Sequence, residues 1–208
     1  MRNLAVMLIL LISVNLFAPT KIINQEEELN KIYYNLDQKV LDYNIIALED
    51  NSIRTREEVF KLAQPMIEIL IKRKNYHMNF PNMDSLSYAI TCIFISESSN
   101  SKGQSARSNL WLIHKNPFGL TFSQGVTKMS WEMIKGKRVN MYRTFRSFNN
   151  FEETIDCLFK DYLWKSRYDL VRNSYSVEEF LHNLYKCGWM TNRHWPKFAF
   201  NEIYLKNV

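Results

Sequence analysis

One acid in this chain stands where two unlike environments meet. The run Leu86-Ser-Tyr-Ala-Ile-Thr-Cys-Ile-Phe-Ile-Ser96 is largely apolar and stops at Glu97, and a polar stretch from Ser98 to Ser108 follows. A carboxyl group at such a junction sits half in a low-dielectric wall, where burial disfavours the charged form. A proton held in that way is what a general acid needs near neutrality. Position alone favours a second reading, because apolar runs commonly end in a charged residue that only marks the edge of the core.

The other reactive side chains form no comparable group. His77, His114, His182 and His194 show no paired metal spacing, and Cys92, Cys157 and Cys187 include no Cys-x-x-Cys pair. We expect no metal and no cofactor. Cys92 lies within the apolar run and reads as a small core residue. A Cys157–Cys187 bridge is compatible with the sequence, which does not decide it. The formal net charge of +6 favours an anionic partner. Nucleic acid, acidic lipid and an anionic cell wall all meet that condition. No Lys/Arg block and no nucleic-acid module stands out, so nucleic acid is not expected.

The elements that must position Glu97 follow from spacing. The chain of 208 residues, 46% hydrophobic, suits one sizeable globular domain with an appendage. Arg2, the apolar stretch Leu4 to Phe17 and Ala18-Pro19 read as an export signal, with an uncleaved membrane tether through residues 4–17 as the alternative. Either form delivers the body of the protein across a membrane, to the periplasm, cell envelope or exterior. From Gln25 to about Asn51, Leu29, Ile32, Tyr33, Leu36, Val40 and Tyr43 recur at helical spacing. Residues 20–54 are therefore expected to form an amphipathic helical stem. Thr55-Arg-Glu-Glu58 is a capping-box pattern that opens the next helix, and Pro65 should kink that helix or confine it to a first turn. In the apolar run itself, Ile90, Thr91, Ile93 and Ile95 are β-branched, so pattern alone also allows a buried strand. Val126 to Gly136 and Arg138 to Phe145 read as two strands about Lys135-Gly136-Lys137, the one convincing sheet. Asn150-Phe-Glu-Glu153 and Ser176-Val-Glu-Glu179 cap two further helices, and Phe198 to Leu205 reads as a last one.

Glu97-Ser98-Ser99, then Ser108-Asn109-Leu110, then Asn116-Pro117-Phe118-Gly119-Leu120 resembles the Glu-Ser-Gly…Ser-x-Leu…Asn-x-Phe-Gly-Ile signature of the bacterial endo-β-N-acetylglucosaminidases. These are peptidoglycan hydrolases of the glycoside hydrolase family 73 type, found in autolysins, flagellar rod-cap hydrolases and phage lysins. Glu132, Gly136 and Phe145-Arg146 match the family's Glu…Gly…Phe-Arg spacing, and Arg167-Tyr168 matches an Arg-Tyr pair. Gly188-Trp189-Met190-Thr191-Asn192, with Trp195 and Lys197, is similar to Gly-Tyr-Ala-Thr-Asp/Asn…Tyr-Ala-x-Lys. The resemblance spans about residues 55–206. Departures are Ser99 for Gly, Asn100 for an aromatic residue, a longer segment between Glu97 and Ser108, and Trp for Tyr at 189 and 195.

The resemblance implies an α+β, mainly α fold: a lysozyme-like helical domain, residues 55–208, carrying a small β-hairpin lobe, with the apolar run as a helix. It implies an enzyme that hydrolyses the β-1,4 bond after N-acetylglucosamine in peptidoglycan glycan strands. Glu97 would be the general acid. Glu132 would be the second carboxylate, as base or nucleophile, unless the substrate's own 2-acetamido oxygen serves. Phe118, Tyr142 and Trp189 would stack on sugar or pack in the core, and Asn116 and Arg146 would orient substrate or brace loops. Two other classes remain: a wall-binding or virion structural protein on the same fold, and a muramidase or lytic transglycosylase.

Overall fold

The computed structural model describes residues 19–50, 54–80, 83–98, 104–105, 114–135 and 137–208. The export-signal segment, Ser99, Asn100 and the Ser108-Asn109-Leu110 motif lie outside these residues. The chain divides into two compact units, Met1–Lys39 and Val40–Val208.

The elements run α1 (Pro19–Glu49), β1 (Arg54–Thr55), α2 (Arg56–Lys74), α3 (Met83–Ser98), β2 (Gln104–Ser105), β3 (Thr121–Ile134) and β4 (Lys137–Phe145). Then come α4 (Phe151–Cys157), α5 (Asp169–Arg172), α6 (Val177–Lys186) and α7 (Trp195–Phe198). This is the mainly helical α+β fold expected, with one substantial hairpin. Among the described residues no helix is long and apolar enough to cross a membrane.

In the first unit, the described residues are the N-terminal part of α1, and Leu29, Ile32, Tyr33 and Leu36 are exposed along it. In the second unit, the remainder of α1 buries Leu41, Asn44 and Leu48, while Val40 and Tyr43 stay exposed. The buried face is thus not the stripe that periodicity marks. Leu41, Asn44 and Leu48 are three and four residues apart and form a face of their own. Periodicity finds apolar residues; the neighbour against which a helix packs selects the face that is buried.

α2 opens with the capping box. The Thr55 hydroxyl accepts from the Glu58 amide, and the Glu58 carboxylate accepts from the Thr55 amide at 2.8 Å. The helix runs through Pro65 to Lys74 without a break and ends at Asn75 in the left-handed region. It packs along α3, whose Leu86, Ala89, Ile90, Cys92, Ile93, Phe94 and Ile95 are all buried. A helix apolar on all sides belongs in the middle of a core. That demand outweighs the strand preference of its β-branched residues, since 16 residues of helix satisfy their own backbone groups wherever they are buried. The polar residues inside are paired: Thr91 donates to the Ser87 carbonyl at 2.7 Å, and Gln64 donates to the Ser87 hydroxyl at 2.9 Å. Phe94 meets Phe118 and Phe151 edge-on, with ring centroids 5.8 and 5.6 Å away.

The hairpin is longer than the expected pair of strands. β3 starts at Thr121 rather than Val126, and the register shifts between those two residues, both of which oppose Phe145. Gly125 sits in the bulge at φ 151°, where a Cβ would stand 2.0 Å from the Phe145 carbonyl oxygen. Only glycine fits there. A second, two-residue ladder pairs β1 with β2, which pattern reading did not anticipate.

Candidate active site

Glu97 lies in the last turn of α3, on the wall of a cleft of about 540 Å³. The same cleft is lined by Phe118 and Gly119 from the following loop, Ser130 and Arg143 from the hairpin, and Trp189 after α6. Trp189 donates its indole N–H to Glu97 Oε1 at 3.2 Å. Two residues 92 positions apart are thereby joined at the centre of the site.

The loop from Asn116 to Leu120 is shaped by one buried side chain. Asn116, 1% exposed, donates from Nδ2 to the carbonyls of Leu120 and Arg146, both at 2.9 Å, and accepts from the Leu120 amide at 2.9 Å. Arg146 returns its own amide to the Leu120 carbonyl at 2.9 Å. The loop and the end of β4 are stitched together in this way. Gly119, at φ 64°, makes the turn beside Glu97. A Cβ there would still be 3.8 Å from Glu97 Oε2, so the backbone rather than space calls for glycine.

The six-residue segment Leu158–Leu163 that continues α4 is a π-helix, and Tyr162 from it lines the cleft. Its hydroxyl donates to the Thr121 carbonyl, and burial pushes the phenol up from its ordinary pKa, so it stays neutral. Tyr162 and Tyr168 both meet Trp189 edge-on, at 6.1 and 6.0 Å between centroids. The indole that reaches Glu97 is therefore held between two aromatic rings.

The candidate residues separate by position. Glu97, Phe118 and Trp189 line the cleft together. Phe118 is only 2% exposed and is mainly a core residue that shows an edge to the site. Asn116 braces the loop as described. Arg146 pairs with Asp161 at 2.8 Å, lies near Cys157 Sγ at 3.2 Å, and stacks over Phe148. It is not among the residues lining the cleft. Tyr142 is 77% exposed and opposes Met129, one step out of phase with the cleft-lining Ser130 and Arg143. Glu132 opposes Val139, two positions beyond Ser130; its side chain lies outside the described set. Arg143, Tyr162 and Arg167 line the cleft but were given no role from sequence. The period of two along β4 carries a signal for the first, since Arg143 and Phe145 share a face that Tyr142 does not.

All three cysteines are free thiols. Among the described residues no group of His, Cys, Asp and Glu could hold a metal ion.

A helical body with a short antiparallel hairpin beside a cleft acid defines a lysozyme-like fold. Solved structures share it. The catalytic domain of the autolysin Auto from Listeria monocytogenes matches over 93% of this chain and 96% of its own, with a TM-score of 0.54 and 15% identity. A mutant of the peptidoglycan hydrolase from Sphingomonas sp. A1 matches over 71% of this chain and 94% of its own, with a TM-score of 0.52 and 15% identity. This chain has the fold of those peptidoglycan hydrolases. No protein-family model and no curated protein matches it.

Replacing Asn116 tests the brace. Asn116→Ala removes the acceptor of the Leu120 amide and a donor to each of the Leu120 and Arg146 carbonyls, so denaturant unfolding should show a loss of about 2–3 kcal/mol. A loss below about 0.5 kcal/mol, the range of ordinary surface substitutions, would show that the loop does not depend on it.

Proposed function

We propose that this protein is a peptidoglycan hydrolase that cleaves the β-1,4 bond on the reducing side of N-acetylglucosamine, with Glu97 as general acid. The observation that carries the proposal is the Glu97–Trp189 contact inside a cleft, on a fold shared with two peptidoglycan hydrolases. The substrate is then the glycan strand of the cell wall, and the protein works outside the cytoplasm.

Glu97 would protonate the glycosidic oxygen as the bond breaks. Positive charge then grows at the anomeric carbon and needs a water activated by a base, a nucleophile or the substrate's own 2-acetamido oxygen. Glu132 is our candidate for the first two, from its place two positions beyond Ser130 on β3. Trp189 takes over a position where the resembling enzymes carry Tyr. Its N–H holds the Glu97 carboxyl in one rotamer, and its ring offers a face for sugar stacking. The braced loop behind Gly119 fixes the opposite side of the acid.

Two experiments follow. Mass spectrometry of the muropeptides released from purified peptidoglycan should find N-acetylglucosamine at the new reducing ends. Muramic acid there would replace the proposal with a muramidase, and an anhydro-muramic end with a lytic transglycosylase. Trp189→Phe keeps a ring but deletes the donor to Glu97, so turnover should fall about tenfold with the fold intact. Unchanged turnover would remove Trp189 from the catalytic machinery.

A further inference from the structure

We propose that the cleft holds a carboxylate-binding subsite built on Arg167, with Arg143 of β4 as a second cation, so that the preferred substrate is a glycan carrying carboxylate groups. The proposal rests on the glycosidase reading of the same cleft and narrows its substrate.

Arg167 is fixed before any ligand arrives. Its Nη2 donates to the Cys187 carbonyl at 2.7 Å and to the Gly188 carbonyl at 3.3 Å. Its guanidinium lies 4.8 Å from the centre of the Tyr168 ring, which in turn packs against Trp189. Gly188 has φ 77°, and a Cβ on it would stand 3.3 Å from Arg167 Nη2, so a glycine there admits the guanidinium closely. A guanidinium has five N–H donors. Among the described residues, the hydrogen bonds of Arg167 run through Nη2 alone, and Nη1 and Nε remain for a ligand.

Charge in the cleft points to the kind of ligand. Glu97 is the one acid among the described lining residues, against the two guanidinium groups of Arg143 and Arg167. The described lining side chains therefore include more basic than acidic groups. A neutral sugar gains ordinary hydrogen bonds from such a wall; a carboxylate gains shorter, charge-assisted ones to a planar cation already immobilised on an aromatic ring. In a peptidoglycan strand the carboxylates stem from the lactyl group of muramic acid. They are borne by its peptide stem, or by the lactyl group itself where the stem has been removed.

The test needs no variant to begin. The protein is given three substrates: native peptidoglycan, the same material with its carboxylates converted to amides by carbodiimide and ammonia, and strands stripped of stems by an amidase. Amidation should lower kcat/KM about tenfold, mainly through KM, as expected for a lost charge-assisted bond. Stripped strands that keep the native rate assign the carboxylate to the lactyl group; stripped strands that fall to the amidated rate assign it to the stem. Arg167→Gln should raise KM on native material and respond little to amidation, and Arg167→Lys should recover part of the loss. Equal rates of the unaltered protein on native and amidated material overturn the subsite. If none of the three is cleaved, the glycosidase reading fails on its own. Sedimentation with the same native and amidated materials then decides the subsite, which predicts about tenfold weaker binding after amidation and is overturned by equal binding.

Discussion

The site depends on where a buried helix stops. From Leu86 to Ile95 every residue of α3 but the half-buried Tyr88 is buried, and its end is the point at which the chain leaves the core for solvent. Glu97 sits at that exit, anchored from behind by Phe94 and its aromatic partners and from the front by the Trp189 N–H. Core packing thus sets the position of the carboxyl to within the play of a single side chain. Everything else in the cleft is arranged against that fixed point.

Three separate parts of the chain complete the arrangement, each by a different kind of force. The loop after Pro117 is held by hydrogen bonds from one buried asparagine, the hairpin by a backbone ladder with a glycine bulge at its base, and Trp189 by two flanking tyrosine rings. The Asn116–Arg146 and Tyr162–Thr121 bonds tie loop, hairpin and π-turn to each other. A polar network shared between elements fixes their relative position more sharply than apolar contact alone, because each misplacement leaves a buried group unpaired.

Much of this was legible in the residues. The capping signals at Thr55, Asn150 and Ser176 mark helix starts that the structure has, and Lys135 turns the hairpin where the spacing puts it. The motif order brought Glu97, Phe118 and Trp189 into one cleft across nearly a hundred residues. Other features were hidden for definite reasons. The first residues of β3 were missed because the Gly125 bulge interrupts alternation. The β1–β2 ladder is too short to leave a pattern. The apolar stripe of α1 named exposed residues because burial depends on the neighbour, which periodicity does not contain. Asn116 and Arg146, read as orienting substrate or bracing loops, have side chains that bond to the loop backbone and to Asp161 respectively, and spacing does not distinguish such uses from binding.

The most direct measurement of the account is the release of new reducing ends from purified peptidoglycan by the protein and by its Glu97→Gln form, with circular dichroism to verify the fold of both. A neutral amide of the same shape keeps the contacts and cannot donate the proton. Glu97 as general acid requires release by the parent protein and a fall of at least about a hundredfold for Glu97→Gln, the usual scale of a lost general acid. A folded Glu97→Gln protein that releases reducing ends at the parent rate would contradict it.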